Sequence, residues 1–270
     1  MTKANIRKNL INKANRIVIK VGSAVLAGHH LEGLDSKVFH NLAKSVSALK
    51  DSGRDAAVVS SGAIAIGMKK MCLHEKPKTI SEKQAIASIG QVSLMSMYEK
   101  AFAPFHIKVA QILLTHDDIT AQKRFLNARH TIKTLFDFGI IPIINENDTV
   151  AVEEIKFGDN DNLAALVTHL VDADLLVILT DTDGLFSGDP KHDKSAKLIP
   201  FVDDIDSLEI KTLGTAGRYG TGGFASKVMA AKKAGEFGVP TLIVNGNDKD
   251  ILKKVFDGKE VGTFFMPKKK

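Results

Sequence analysis

Two compact groups of acids and amides, Asn145-Glu146-Asn147-Asp148 and Asp159-Asn160-Asp161, concentrate the chemistry-bearing side chains of this chain. Asn and Asp favour turns, because their short side chains bond nearby backbone groups. Here, however, the first group follows the apolar run Ile140 to Ile144 and the second opens another apolar segment, Leu163 to Val171. Carboxylates and amides are thereby set at the end of a buried strand and at the start of a helix, where α/β folds bind ligands. Lys20 fits the same pattern, interrupting the apolar strand Arg16 to Val21 just before the turn Gly22-Ser23, where backbone can approach a ligand. Its ammonium either snorkels to an edge or is directed at a phosphate. Ser60-Ser61-Gly62-Ala63 follows the strand Asp55 to Val59, and its small residues let a helix begin close to the sheet. The N–H groups of such a helix start favour an anion, to which Ser60 or Ser61 adds a hydroxyl; either serine also suits a plain N-cap.

Two further stretches share this character. The apolar strand Leu175 to Leu179 ends in Thr180-Asp181, a polar crevice edge, and Gly214 to Lys227, GTAGRYGTGGFASK, opens onto a helix from Ala225 to Phe237. A glycine-rich loop reads first as a linker. With a lysine in the first turn of the following helix, it is also how backbone amides cradle phosphates. It is not a Walker A loop, since Lys227 follows Ser226 and precedes Val228, and no GxGxxG follows the first strand.

These groups require a scaffold of alternating strands and helices, hence an α/β fold. Val38, Leu42, Val46 and Leu49 have helical spacing, closed by Gly53. Ser81 with Gln84 has the form of a capping box and opens a helix through Ile86, Ile89, Val92, Leu94, Met95 and Tyr98, with Met95 and Met97 as core or subunit contacts. Val109 to Leu114 is a strand, Phe125 to Phe138 an amphipathic helix closed by Gly139, and Thr241 to Asn245 and Gly262 to Met266 are late strands. Val150 to Phe157 reads as an exposed hairpin, and Ser187-Gly188-Asp189-Pro190 as a turn. His116 beside Asp117 and Asp118 is no metal signature by itself.

At 270 residues, 44% hydrophobic, the chain can bury a large core, and a net charge of +6 suits anionic small substrates. Part of the basic excess sits at Lys268, Lys269 and Lys270, a solvated end without the aromatic interleaving of a nucleic-acid surface. The single Cys72 permits no internal disulfide and reads as a small buried apolar residue. With no secretory segment and no apolar run long enough to span a bilayer, a cytoplasmic chain free of membrane or nucleic-acid partners is expected.

Lys20-Val21-Gly22-Ser23, Ser60-Ser61-Gly62-Ala63, INENDTV from Ile144, FGDND from Phe157, Thr180-Asp181 and GTGGFASK up to Lys227 together resemble the glutamate 5-kinases of the amino acid kinase family. INEND followed by GDND is specific to them within that family. The resemblance implies a three-layer sandwich with a mostly parallel central sheet and helices on both faces. It implies one domain over 1–270, with a glutamate-binding N-terminal part and an ATP-binding part from about 172; many members carry a C-terminal PUA domain as well, and here the chain departs from that pattern, since none is expected in a sequence ending at Lys270. The implied reaction is ATP-dependent phosphorylation of the γ-carboxylate of L-glutamate for proline synthesis, with Mg²⁺. Alternatives on the same fold are an acetylglutamate, aspartate, carbamate or UMP kinase, or a catalytically silent nucleotide or proline sensor. Carried over residue by residue, Lys20 and Lys227 neutralise the phosphoryl group, Ser61, Asp148 and Asn160 bind glutamate, and Lys20, Thr180, Asp181 and Thr221-Gly222-Gly223-Phe224-Ala225-Ser226-Lys227 hold ATP. Asp159 and Asp161 serve Mg²⁺ or orient the lysines, Asp161 being also a catalytic residue. Feedback inhibition by proline and a homo-oligomer, dimer or tetramer, are further expectations of the resemblance.

Overall fold

The computed structural model describes residues 2–27, 35–151, 160–188, 193, 195–208 and 223–268. In chain order its elements are α1 (Lys3–Lys13), β1 (Arg16–Val21), α2 (Ser23–Ala27), α3 (Ser36–Asp51), β2 (Asp55–Ser60), α4 (Ala63–Lys70), α5 (Ile80–Phe102), β3 (Val109–Leu114), α6 (His116–Thr120), α7 (Gln122–Asp137), β4 (Ile141–Glu146), α8 (Asn160–Leu170), β5 (Leu175–Thr180), β6 (Phe201–Val202), α9 (Phe224–Glu236), β7 (Thr241–Asn245), α10 (Ile251–Phe256) and β8 (Thr263–Phe265). The strands form one sheet in the order β3-β4-β2-β1-β5-β7-β8-β6, parallel except where β8 runs against β7.

Strand residues point alternately to the two faces, and this divides the core. Ile17, Ile19 and Val21 of β1 join α1 to α5 and α10 on one face, while Val18 joins α6 to α9 on the other. By the same alternation Lys20 and Thr180 belong to the second face, the one covered by α8 and α9. From β1 the chain turns toward β2 and β4, and from β5 toward β7, so the order reverses between β1 and β5. A crevice opens outside the carboxyl ends of strands at such a point. The helix α8 crosses there, packing on β1, β2, β4 and β5, and α9 packs on α8, β5 and β7.

The α/β reading and most element positions agree with the sequence. Four local expectations do not. The capping box of α5 is Thr79 with Glu82, not Ser81 with Gln84, because Glu82 accepts the Thr79 backbone N–H at 3.0 Å while Gln84 reaches outward to the Ala151 carbonyl. Neither Ser60 nor Ser61 caps α4, since Gly62 stands at the cap with φ 109° and no side-chain cap bond. Cys72 is exposed, because α4 ends in a turn that puts Cys72 itself at φ 53°. α8 starts at Asn160 rather than Leu163, which takes Asn160 and Asp161 into its first turn. The hairpin expected at Val150 to Phe157 lies outside the described residues beyond Ala151, as do Asp189-Pro190 of the turn.

Two glycines set how closely α5 lies on α4. A Cβ on Gly90 would fall 1.8 Å from the Ala63 carbonyl oxygen, and one on Gly67 would fall 2.0 Å from that of Ile86. Side chains cannot fit there, so backbone packs on backbone. Overpacking such a contact costs about 3 kcal/mol. Gly90→Ala is therefore expected to lower stability by about that amount in chemical denaturation, with Gly53→Ala, where a Cβ meets nothing within 4 Å, as a control for backbone strain alone.

Candidate active site

One carboxylate joins three elements at the carboxyl end of the sheet. Asp161, in the first turn of α8, holds Lys20 Nζ of β1 at 2.6 Å through Oδ1 and Lys227 Nζ of α9 at 3.2 Å through Oδ2. Ser226 Oγ donates to the same Oδ2 at 2.7 Å and to the Gly223 carbonyl at 2.8 Å. All three charged residues are buried, Lys20 with 5%, Lys227 with 8% and Asp161 with 2% of its surface exposed. Burial alone would push the Asp161 carboxyl up; the charges of Lys20 and Lys227, with hydrogen bonds from Lys20 and Ser226, outweigh it and hold the group at about 2.

Among the described residues, the cluster sets two cations against one anion. The sequence is paradoxical by helix rules, because Lys227 sits in the first turn of α9, where the dipole disfavours a cation and that turn holds no acidic residue of its own. The N-termini of α8 and α9 meet at this cluster, adding their dipoles to the lysines. A buried positive site of this kind stabilises an anion that loses its water shell on entry.

Beside it lies an uncharged network. Asn160 Nδ2 donates to Ser61 Oγ and to Asn145 Oδ1, both at 3.1 Å. Asn145 Oδ1 also accepts the Glu146 backbone N–H at 2.9 Å, and Asn145 Nδ2 donates to Gln91 Oε1 at 2.9 Å. Gln91 Nε2 donates in turn to Gln111 Oε1 at 3.0 Å. The Ser61 turn is fixed from two sides: its N–H donates to the Val21 carbonyl, and its carbonyl accepts Ser60 Oγ, which is itself met by the buried Tyr98 hydroxyl at 2.7 Å. Past the end of β4, Asp148 is half-buried, and burial together with the nearby Glu146 raises its carboxyl to about 7. At the end of β5, Thr180 Oγ1 donates to Asp181 Oδ1 at 3.2 Å, and Asp181 is exposed.

The amino acid kinase family model matches residues 15–245, which takes in β1 through β7 and every candidate residue above. The glutamate 5-kinase of Geobacter metallireducens is 53% identical over 263 residues, 97% of this chain and 70% of that protein. That of Thermus thermophilus is 46% identical over 257 residues, 95% of this chain and 69% of the relative. The chain belongs to the amino acid kinase family, in its glutamate 5-kinase branch. Among solved structures, a UMP kinase of Bacillus anthracis superposes with a TM-score of 0.66 at 18% identity, covering 95% of this chain and 97% of its own. An isopentenyl phosphate kinase of T. acidophilum gives 0.65 at 19%, covering 93% and 99%. At that identity they show the amino acid kinase fold alone.

On this family scaffold, the residues expected from sequence fall into two sets. Lys20, Asp161, Ser226 and Lys227 come together, and so do Ser61 and Asn160. Asp148 and the pair Thr180 and Asp181 stand at the ends of neighbouring or nearby strands, with no hydrogen bond to either set among the described residues. Gly223 caps α9, and Phe224 packs partly buried on the core with Ala225 beside it. Asp159, Thr221 and Gly222 lie outside the described residues. Sequence reasoning missed Gln91 as a member of the site. The available signal was Gln84 and Gln91, seven apart on one face of a long helix, which both bond the segment following Ile144.

Removing the anion from between two buried cations is strongly destabilising, by about 3–5 kcal/mol. Asp161→Asn is expected to lower unfolding free energy in that range. Because the folded-state carboxyl titrates below its usual value, its contribution in the native protein is complete above about pH 4 and disappears as pH falls toward 2. Urea unfolding across that window should show an acid-labile component in the native sequence that Asp161→Asn lacks.

Proposed function

We propose that this chain transfers the γ-phosphoryl group of ATP to the γ-carboxylate of L-glutamate, giving L-glutamyl 5-phosphate, the first step of proline synthesis. The observation that carries the reading is the pair of buried lysines, Lys20 and Lys227, held by one carboxylate where two helix N-termini meet. The close glutamate 5-kinase relatives support the choice of acceptor.

In this reading a γ-carboxylate oxygen of glutamate attacks the terminal phosphorus, an O–P bond forms, the bond to the β-phosphate oxygen breaks, and ADP leaves. A carboxylate is already a nucleophile, so no general base is required. What the protein supplies is alignment and cancellation of charge on the phosphoryl oxygens. Lys20 and Lys227 meet that charge, and Asp161 keeps both ammonium groups on one point. Ser61, Asn160 and Asp148 hold glutamate, with Asp148 taking its ammonium. Thr180, Asp181 and the segment from Thr221 to Lys227 hold ATP, which assigns the nucleotide to the part from about 172 onward.

Asp159 and Asp161 would hold the magnesium of an ATP complex, a cation that prefers phosphate oxygens and retained waters with one or two carboxylates and would neutralise phosphate charge there. No group of three or more His, Cys, Asp or Glu side chains converges as a metal centre among the described residues. Asp161 already meets both lysines, so Asp159 would be the second carboxylate toward the ion. A cytoplasmic location, inhibition by proline and a dimer or tetramer belong to the same reading; assays with and without proline and a sedimentation measurement test the last two.

A coupled ATP assay with glutamate, acetylglutamate, aspartate, carbamate and UMP tests the acceptor, and turnover of another acceptor but not glutamate overturns it. Lys227→Ala is expected to lower kcat about a hundredfold or more, as the loss of a transition-state charge contact does. Asp148→Ala should chiefly raise the glutamate KM. Since the Asp148 carboxyl titrates near 7 and only its ionised form pairs with an ammonium, the glutamate KM should also rise as pH falls from 8 to 6, and lose that dependence in Asp148→Asn.

A further inference from the structure

The uncharged network has a direction, and one backbone group sets it. The Glu146 N–H can only donate, so the Asn145 atom 2.9 Å from it must be the amide oxygen. Asn145 nitrogen then faces Gln91, which must present its oxygen, and Gln91 nitrogen faces Gln111. On the other side, Asn145 oxygen requires a donor, and Asn160 supplies its nitrogen, which Ser61 Oγ also accepts. Asn160 Oδ1 is thereby left over. It is buried and has no hydrogen-bond partner among the described residues. A buried acceptor without a donor is costly, and an incoming ammonium removes that cost.

We propose that Gln91 is a positioning residue for the acceptor substrate, acting through Asn145 to keep Asn160 Oδ1 available to a substrate N–H donor. This rests on the amino acid acceptor proposed above. Without the Gln91 acceptor, Asn145 Nδ2 loses its partner and the amide is held only through its oxygen, by the Glu146 N–H and Asn160 Nδ2, so that its nitrogen can swing toward Asn160 Oδ1 while the oxygen stays on the Glu146 N–H. Asn160 then turns in response and spends its oxygen on Asn145. Gln91 is suited to this work because α5 is tethered to the same segment twice, through Gln91 to Asn145 and through Gln84 to the Ala151 carbonyl at 3.1 Å. Gln91 is half-buried and Gln111 exposed, so the outer end of the network can reorganise in water.

The test is a set of steady-state measurements on the full chain. Gln91→Leu, which fills the space without an acceptor, should raise the glutamate KM about tenfold, the loss of one hydrogen bond, with kcat and the ATP KM within about threefold. Gln91→Glu keeps an acceptor at the same reach, and Gln111 can turn its nitrogen toward it, so the glutamate KM should stay within about threefold of the native value. Gln111→Ala should leave it within about twofold. A packing role gives the opposite order, because leucine suits a half-buried helix position better than a carboxylate. The inference is overturned if Gln91→Leu binds glutamate as the native enzyme does, if Gln91→Glu is impaired as much as Gln91→Leu, or if kcat falls in place of binding. Should Gln91→Leu fail to fold, Gln91→Ala is read against the same limits. Native enzyme that does not turn over glutamate refutes the acceptor assignment instead, and the same variants are then measured on the acceptor it does use.

Discussion

Two buried ammonium groups of like charge cannot share a small volume unless an anion stands between them, and Asp161 is that anion. The architecture around it follows from this requirement. Lys20 is delivered by a strand with apolar neighbours on both sides, Asp161 by the first turn of α8, and Lys227 by the first turn of α9. Each comes from an element packed against the same sheet, so the three cannot drift apart without opening the core between α8, α9 and β1.

The second half of the site uses hydrogen bonds where the first uses charge. Asn145, Asn160 and Ser61 are held by directional contacts whose sense is dictated by one backbone N–H, and the Ser61 turn is braced by the Tyr98 hydroxyl through Ser60. Its placement depends in turn on α5 lying close enough to α4 for Gly90 to meet the Ala63 carbonyl, just after the turn. A glycine distant in sequence thus helps locate Ser61. The charged half suits a transferring phosphoryl group and the neutral half an amino acid, and the point between β1 and β5 where the strand order reverses brings the two together.

Much of this arrangement was legible in the chain. The strands that carry Lys20, Ser60, Asn145 and Thr180 at or beside their carboxyl ends could be read because a buried parallel strand must be apolar and its end need not be. Local contests between similar residues were harder. Thr79 with Glu82 and Ser81 with Gln84 offer the same capping pattern, and the glutamate prevails as the stronger acceptor of backbone N–H groups. Cys72 has the composition of a core residue, yet the turn closing α4 carries it to the surface. The polar helix α1 and the two-residue strand β6 have too weak a periodicity to be seen in advance.

By itself, the sequence determined the fold class, the positions of the strand ends, and the identities of the lysines, acids and amides that occupy them, because burial and turn chemistry act on near neighbours in the chain. Only the tertiary structure decided that Asp161 serves both Lys20 and Lys227, residues 141 positions before it and 66 after it. Pairing of that kind depends on which strands lie side by side. It likewise decided that Gln91 belongs to the site, since a glutamine on an amphipathic helix acquires a role only when the sheet places Asn145 within hydrogen-bonding reach.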